Sequence, residues 1–234
     1  MKQVLISKDS ILEAIESMNI LLQQNCKHFK YALEALEEEI CSSYLDTVKM
    51  LVNFLDHKDE YTKGHCQRVT KLAVAIGQAL DFSDVDIQDL EFAALLHDIG
   101  KLAVPDDIIN KEGKLTMQEY EIVKMHPAVG YEIIKDISFL DGSKNILLQH
   151  HERVDGRGYP IGLTDHQIHI GSKILSVADA YDAMTSSRPY RKDGLSQEQA
   201  IEQLELSTGS QFDKNIVDVF ISLLISGEAA SCVI

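Results

Sequence analysis

Two adjacent histidines, His150 and His151, close an apolar run in "LLQHHERVDGRGYP" and lead into a loop rich in Gly and Arg. A second pair, His97 and Asp98, sits at the polar end of "EFAALLHDIGK". Asp179 interrupts "ILSVADAY", with Asp182 one turn further; His126 precedes Pro127, and His65 opens the segment after "DEYTKG". Side chains of this kind at the ends of apolar segments are costly to bury unless paired or coordinated. Taken singly, each reads as a hydrogen-bonded core residue or a cap. Taken together, His65, His97, His126, His150, His151, Asp98 and Asp179 need one explanation, and a metal centre supplies it. Imidazole and carboxylate without thiolate suit iron or manganese, with zinc and nickel as alternatives. Seven ligands exceed the four of a structural zinc. Two cations about 3.5–4 Å apart that share a hydroxide are a device for attack on a phosphoester, and Asp98, with two oxygens, is the residue that could bridge them.

The elements that must carry these groups read as helices almost throughout. "SILEAIESMNILLQQ" sets Ile11, Leu12, Ile15, Met18 and Leu22 on one face, and from Phe29 to Leu55 apolar residues recur every three or four positions without Pro or Gly. That spacing predicts a helix of about 28 residues, on the order of 40 Å long, which either runs between subunits or covers its own domain. "GHCQRVTKLAVAIGQAL", "VDIQDLEFAALLHDIGK", "GSKILSVADAYDAMTS", "SQEQAIEQLEL" and "FDKNIVDVFISLLI" have the same period. Pro105 marks a helix start at N1, and Pro127 suits the start of the segment that opens with His126. Loops are expected at 56–64, 110–114 and 152–169. The fold class is all-α.

The chain has 234 residues, 45% hydrophobic and 25% charged, with a formal net charge of −15. An acidic surface argues against DNA or RNA as a partner, so positive charge for an anionic substrate must be local. Four scattered cysteines (Cys26, Cys41, Cys66 and Cys232) read as buried thiols in a reducing cytosol rather than a disulfide framework. The three-residue apolar run near the N-terminus is too short for a signal peptide, and no window suits a membrane span. The expected location is the cytoplasm, without membrane insertion.

"HDIGK" (97–101), "MHP" (125–127), "HHERVDGRGYP" (150–160) and "VADAYDAMTSSRPYR" (177–191) resemble the HD-GYP domain family in order and spacing, extended by "YTKGHCQRV" (61–69) and "GSQFD" (209–213). The resemblance implies an HD-type helical bundle with extra C-terminal helices at 46–234, preceded by a helical extension at 1–45 that dimerises or senses a signal. It implies hydrolysis of cyclic di-GMP to pGpG or GMP at a di- or trinuclear iron or manganese centre, and the family's ligand positions fall on the same seven residues. It makes Lys101 a phosphate contact or proton donor, and Arg188 and Arg191 substrate-binding positions. Gly158 and Tyr159 belong to the family's loop, the glycine letting backbone approach the ligand, and Tyr159 either stacks on a base or anchors the loop. Trimetal members carry a Glu where this chain has Tyr61, so two divalent ions are expected, iron first and manganese next. His28, His57, His166 and His169 are read as non-ligands. Self-association through the N-terminal helices is expected, and a diguanylate cyclase partner is implied by the resemblance alone. The alternatives are another cyclic dinucleotide substrate, such as cyclic GMP-AMP, and a sensor that binds the nucleotide without turnover.

Overall fold

A computed structural model describes residues 8–58, 64–111, 113–186 and 194–227. Among them every regular element is helical, and β-pairing is limited to two isolated bridges, Asp155 with Thr164 and Thr208 with Phe212. The chain is all-α, as its periodicity predicts. It forms two compact units, 1–47 and 48–234.

The first helix, α1, runs from Lys8 to Lys58. It is one helix of 51 residues where the spacing suggests two pieces and a shorter span. Nothing in "QQNCKHFK" breaks it, since the segment has neither Pro nor Gly. The predicted loop at 56–64 is accordingly helical to Lys58, and 59–63 lie outside the described residues.

In the second unit, α2 (His65–Ala79), α3 (Asp84–Leu96) and α8 (Ile170–Thr185) form the centre, with α2 packed on both of the others and on α10 (Lys214–Ser226). Val69, Leu72, Ala73 and Ile76 of α2 meet Leu90 and Ala93 of α3, Ile174 and Ala178 of α8, and Phe220 of α10 in one core. α3 is apolar on nearly every side over its last turns, where Leu90 and the run from Phe92 to Leu96 are all buried. Its C-terminal end is therefore forced into the interior, and it carries the adjoining His97 and Asp98 there with it.

Directly after them, a 3₁₀ turn, Ile99–Ala103, packs on α6 (His126–Ile134). Gly100 makes that approach close: a Cβ there would overlap the His126 carbonyl oxygen and crowd the Gly130 amide. Between these elements lie α4 (Asp106–Ile109) and α5 (Met117–Val123). Pro105 caps α4 instead of occupying its first position, one residue earlier than expected. α5 escapes the periodicity test because seven residues are too few to show it; its sequence mark is the capping box Thr116-x-x-Glu119. Next come α7 (Ser143–Leu148), packed on α3 and α6, and the long loop from 152 to 169 with a 3₁₀ turn at Asp165–Gln167. α9 (Gln197–Leu206) starts at Ser196 with a capping box, and Asp213 caps α10. Of the described cysteines only Cys66 is buried; Cys41 is intermediate and Cys26 exposed, against the expectation of buried thiols, because α1 presents both in the first unit.

Candidate metal centre

Helix ends deliver all but one of the seven groups. His65 is the first residue of α2, His97 adjoins the last residue of α3 with Asp98 beside it, His126 opens α6, and His150 and His151 stand just past α7. Asp179 comes from the body of α8. His65, His97, Asp98, His126 and His150 are all buried.

Hydrogen bonds fix the imidazole tautomers. Nδ1 of His97 lies 2.8 Å from the Ala94 carbonyl oxygen, Nδ1 of His126 2.7 Å from that of Val123, and Nδ1 of His150 2.6 Å from that of Leu147. A carbonyl only accepts, so each Nδ1 carries the hydrogen and each Nε2 is left with a lone pair directed inward. His97 Nε2 is buried without a hydrogen-bond partner, and Nε2 of His126 and His150 stand 3.3 Å apart. Lone pairs gathered this way in a dry interior repel one another unless a cation lies among them. The donor set fits a metal.

Two groups of three result. His126, His150 and His151 offer ligand atoms within 4.8 Å of one another, and so do His65, His97 and Asp98. Asp98 touches both, with Oδ1 3.4 Å from His126 Nε2 and Oδ2 3.4 Å from His97 Nε2. Asp179 Oδ1 stands 3.2 Å from His65 Nε2, at the edge of the second group.

For His126, His150, His151 and the two carboxylates the electrostatics agree with that arrangement; His65, protonated in the metal-free protein, releases a proton to serve as a ligand. Burial, then the neighbouring imidazoles, push His126 down to about 3 and His151 to about 4, and His150 is also pushed far below its ordinary value. All three rings are neutral, as a ligand must be. Burial alone would raise Asp98, but Lys101 and then His97, His126 and His65 hold it well below the usual carboxylate range. Asp179 is also lowered: burial works against ionisation, and His65 overcomes it. Lys101 Nζ lies 2.6 Å from Asp98 Oδ2 at the partly exposed rim.

In the linear sequence Asp182 is only a carboxylate one turn beyond Asp179; in the fold its role is larger. Its Oδ2 accepts from His65 Nδ1 at 2.7 Å, while Arg68 donates Nε to Oδ1 at 2.6 Å and Nη2 to Oδ2 at 3.0 Å. The carboxylate therefore turns His65 so that Nε2 faces Asp179, and Arg68 holds the carboxylate. Burial would lower His65; its hydrogen bonds to Asp179 and Asp182 raise it to about 9 instead. The available signal is spacing, Asp179 and Asp182 at i, i+3 on α8 and His65 and Arg68 at i, i+3 on α2. Asp182→Asn should weaken metal binding about 10–100-fold with the helical content unchanged, read by competition titration against a chelating dye.

The loop after His151 is held by Glu152, whose buried carboxylate accepts from the backbone amides of Ile161, Gly162 and Leu163. Tyr159 lies tilted over His151, ring centroids 4.8 Å apart, and Lys124 Nζ sits 5.7 Å from its centroid. These contacts hold the Tyr159 ring beside His151. Gly158 has a role within the loop itself. A Cβ there would strike the backbone of His151, Glu152 and Arg153, so the glycine also permits the loop to fold closely on itself. His169 caps α8 by accepting from the Gly171 amide. Arg188, Arg191 and Tyr61 lie outside the described residues.

Metal-stripped protein should be most stable near pH 6.5. His65, raised to about 9, contributes fully below 6.5 and loses that contribution as the pH climbs through 9. His126 and His151, lowered to about 3 and 4, contribute above 6.5, and their contribution is lost as the pH falls toward those values. A melting-temperature series from pH 4 to 10 in chelator checks this; a curve flat from 6.5 to 9 would contradict the His65 geometry.

The HD domain family profile matches residues 49–216. The chain belongs to the HD domain family, in its HD-GYP branch. It is 38% identical over 82% of its length to a cyclic di-GMP phosphodiesterase of Thermotoga maritima, spanning 54% of that protein. It is 40% identical over 58% of its length to the 3′3′-cGAMP-specific phosphodiesterase 3 of Vibrio cholerae, spanning 30% of it. An HDG"Y"P protein from Bdellovibrio bacteriovorus shares the fold, with a TM-score of 0.57, 24% identity and coverage of 69% of this chain and 51% of that one. The chain thus spans about half the length of the Thermotoga relative. Among the described residues no helix is long and apolar enough to cross a membrane.

Proposed function

We propose that this chain is a metal-dependent phosphodiesterase that opens a cyclic dinucleotide, with cyclic di-GMP as substrate and pGpG or GMP as product. The observation that carries the reading is the pair of three-ligand groups, with Asp98 a member of one and facing the other. Two divalent cations, iron ahead of manganese, are the proposed cofactor, held by His126, His150 and His151 on one side and His65, His97 and Asp179 on the other, with Asp98 shared. When bound, such a pair polarises the phosphoryl oxygens and acidifies water to a nucleophile at neutral pH.

The protein's own groups do the rest. The fixed tautomers of His97, His126 and His150 keep every Nε2 aimed inward without reorganisation during turnover. Lys101, with its ammonium at the rim beside Asp98, holds positive charge toward a phosphoryl oxygen and a proton for the departing 3′-oxygen. Arg188 and Arg191 are proposed to grip the phosphates or a guanine edge, for which a planar guanidinium is suited. Tyr159, packed on His151, keeps the loop against the site and shields that ligand from water.

The proposal extends to a cytoplasmic location, self-association through the N-terminal helix and a diguanylate cyclase partner. The Vibrio relative supports a second reading, cyclic GMP-AMP as the preferred substrate. Incubating manganese- or iron-loaded protein with each dinucleotide and identifying products by mass tests both. Linear pGpG or GMP from cyclic di-GMP is expected, abolished by a chelator. Binding of both nucleotides without any product would replace the enzyme reading with a sensor.

A further inference from the structure

The apolar residues of α1 between positions 19 and 40 are spaced as a heptad seam. Asn19, Leu22, Cys26, Phe29, Leu33, Leu36 and Ile40 succeed one another at alternating steps of three and four, which is a period of 3.5 over three heptads. Among the described residues of the unit 1–47 nothing covers this face: Leu22, Phe29, Leu33, Leu36 and Ile40 are 43–77% exposed, and Cys26 is exposed. A surface helix of a globular domain keeps a period of 3.6 and hides its stripe; a strict 3.5 repeat left open is made for a second helix with the same repeat.

We propose that α1 forms a parallel, two-stranded coiled coil with a second copy of this chain, with Asn19, Cys26, Leu33 and Ile40 at a positions and Leu22, Phe29 and Leu36 at d positions. This deepens the self-association proposed above and does not depend on the metal chemistry. Two observations choose this occupant and this direction. Asn19 is the one polar residue of the seam, and a buried Asn at an a position meets its own copy only in a parallel pair in register, where the two amides bond to each other. In an antiparallel pair each a residue faces a d residue, so the amide would be buried against an apolar side chain. The flanking pairs also suit the parallel arrangement. Met18 with Gln23, Asn25 with Lys30, Ala32 with Glu37 and Glu39 with Tyr44 would lie across the seam, and none sets like charges opposite.

The test uses the full chain. Sedimentation at micromolar concentration should give a dimer, and Leu33→Glu with Leu36→Glu should give a monomer whose circular dichroism and metal content show the second unit intact. With Cys41→Ser and Cys232→Ser, a short bismaleimide should join Cys26 to its copy. In the same background, Asn19→Cys with Cys26→Ser should be joined as efficiently, because parallel register places both positions opposite themselves. A monomeric parent chain, a dimer indifferent to the two glutamates, or cross-linking at one position but not the other would each overturn the proposal. Hydrolysis is assayed on the same samples. A cross-linked dimer that is inert would sink the phosphodiesterase reading and leave the coiled coil standing, and an active monomer would do the reverse.

Discussion

Asp98→Ala is expected to remove bound metal from the purified protein and to lower turnover on the order of 10³-fold or more, since a metal pair supplies several kcal/mol of charge stabilisation. The reason lies in its two oxygens. Oδ2 is shared by His97 and Lys101 and Oδ1 faces His126, so one side chain balances the charge of both ligand groups. Alanine would leave the Lys101 ammonium without that carboxylate and three inward-facing imidazoles without the anion that makes a cation welcome. Asp98→Asn separates charge from shape: it keeps the volume, removes the anion, and should show nearly the same loss. A variant that retains both metal and rate would mean that Asp98 lies beside the chemistry and not within it.

Gly100→Ala should destabilise the second unit by roughly 3 kcal/mol, the upper part of the range for overpacking a tight contact. The added methyl meets backbone, the His126 carbonyl oxygen, which has no rotamer to move into. The 3₁₀ turn and α6 must separate, and they carry Asp98 and His126, whose facing atoms are 3.4 Å apart. Metal affinity should therefore fall together with the urea midpoint. Gly130→Ala, whose Cβ would meet the side chains of Leu147 and Ile99 first, is the milder control. Equal behaviour of the two variants would show that the close approach at Gly100 does not position the site.

The candidate ligands are legible in the sequence because they break a pattern. His97 and Asp98 follow the apolar run from Phe92 to Leu96 that ends α3, Asp179 interrupts another apolar stretch, and buried polar groups of that kind need a common cause. Their grouping is not legible. That His126, His150 and His151 gather in one group and His65, His97 and Asp98 in another, with Asp98 facing both, depends on how α3, α6 and α7 cross, which periodicity does not encode. Asp182, Arg68 and Glu152 carry ordinary surface chemistry in a linear reading, and only the fold turns them into supports for His65 and for the loop. The length of α1 is underestimated from spacing for the opposite reason: its polar stretch near Gln23 to Lys27 looks like a break, yet polar residues are what an exposed helix face should have.

The central claim is that these seven side chains converge on a pair of cations. Anaerobic purification and then elemental analysis, with back-titration of stripped protein by iron(II) or manganese(II), tests it most directly. The account predicts two equivalents bound per chain, lost together in Asp98→Ala. Protein that takes up neither ion at either site, while its circular dichroism shows the helices intact, would contradict it.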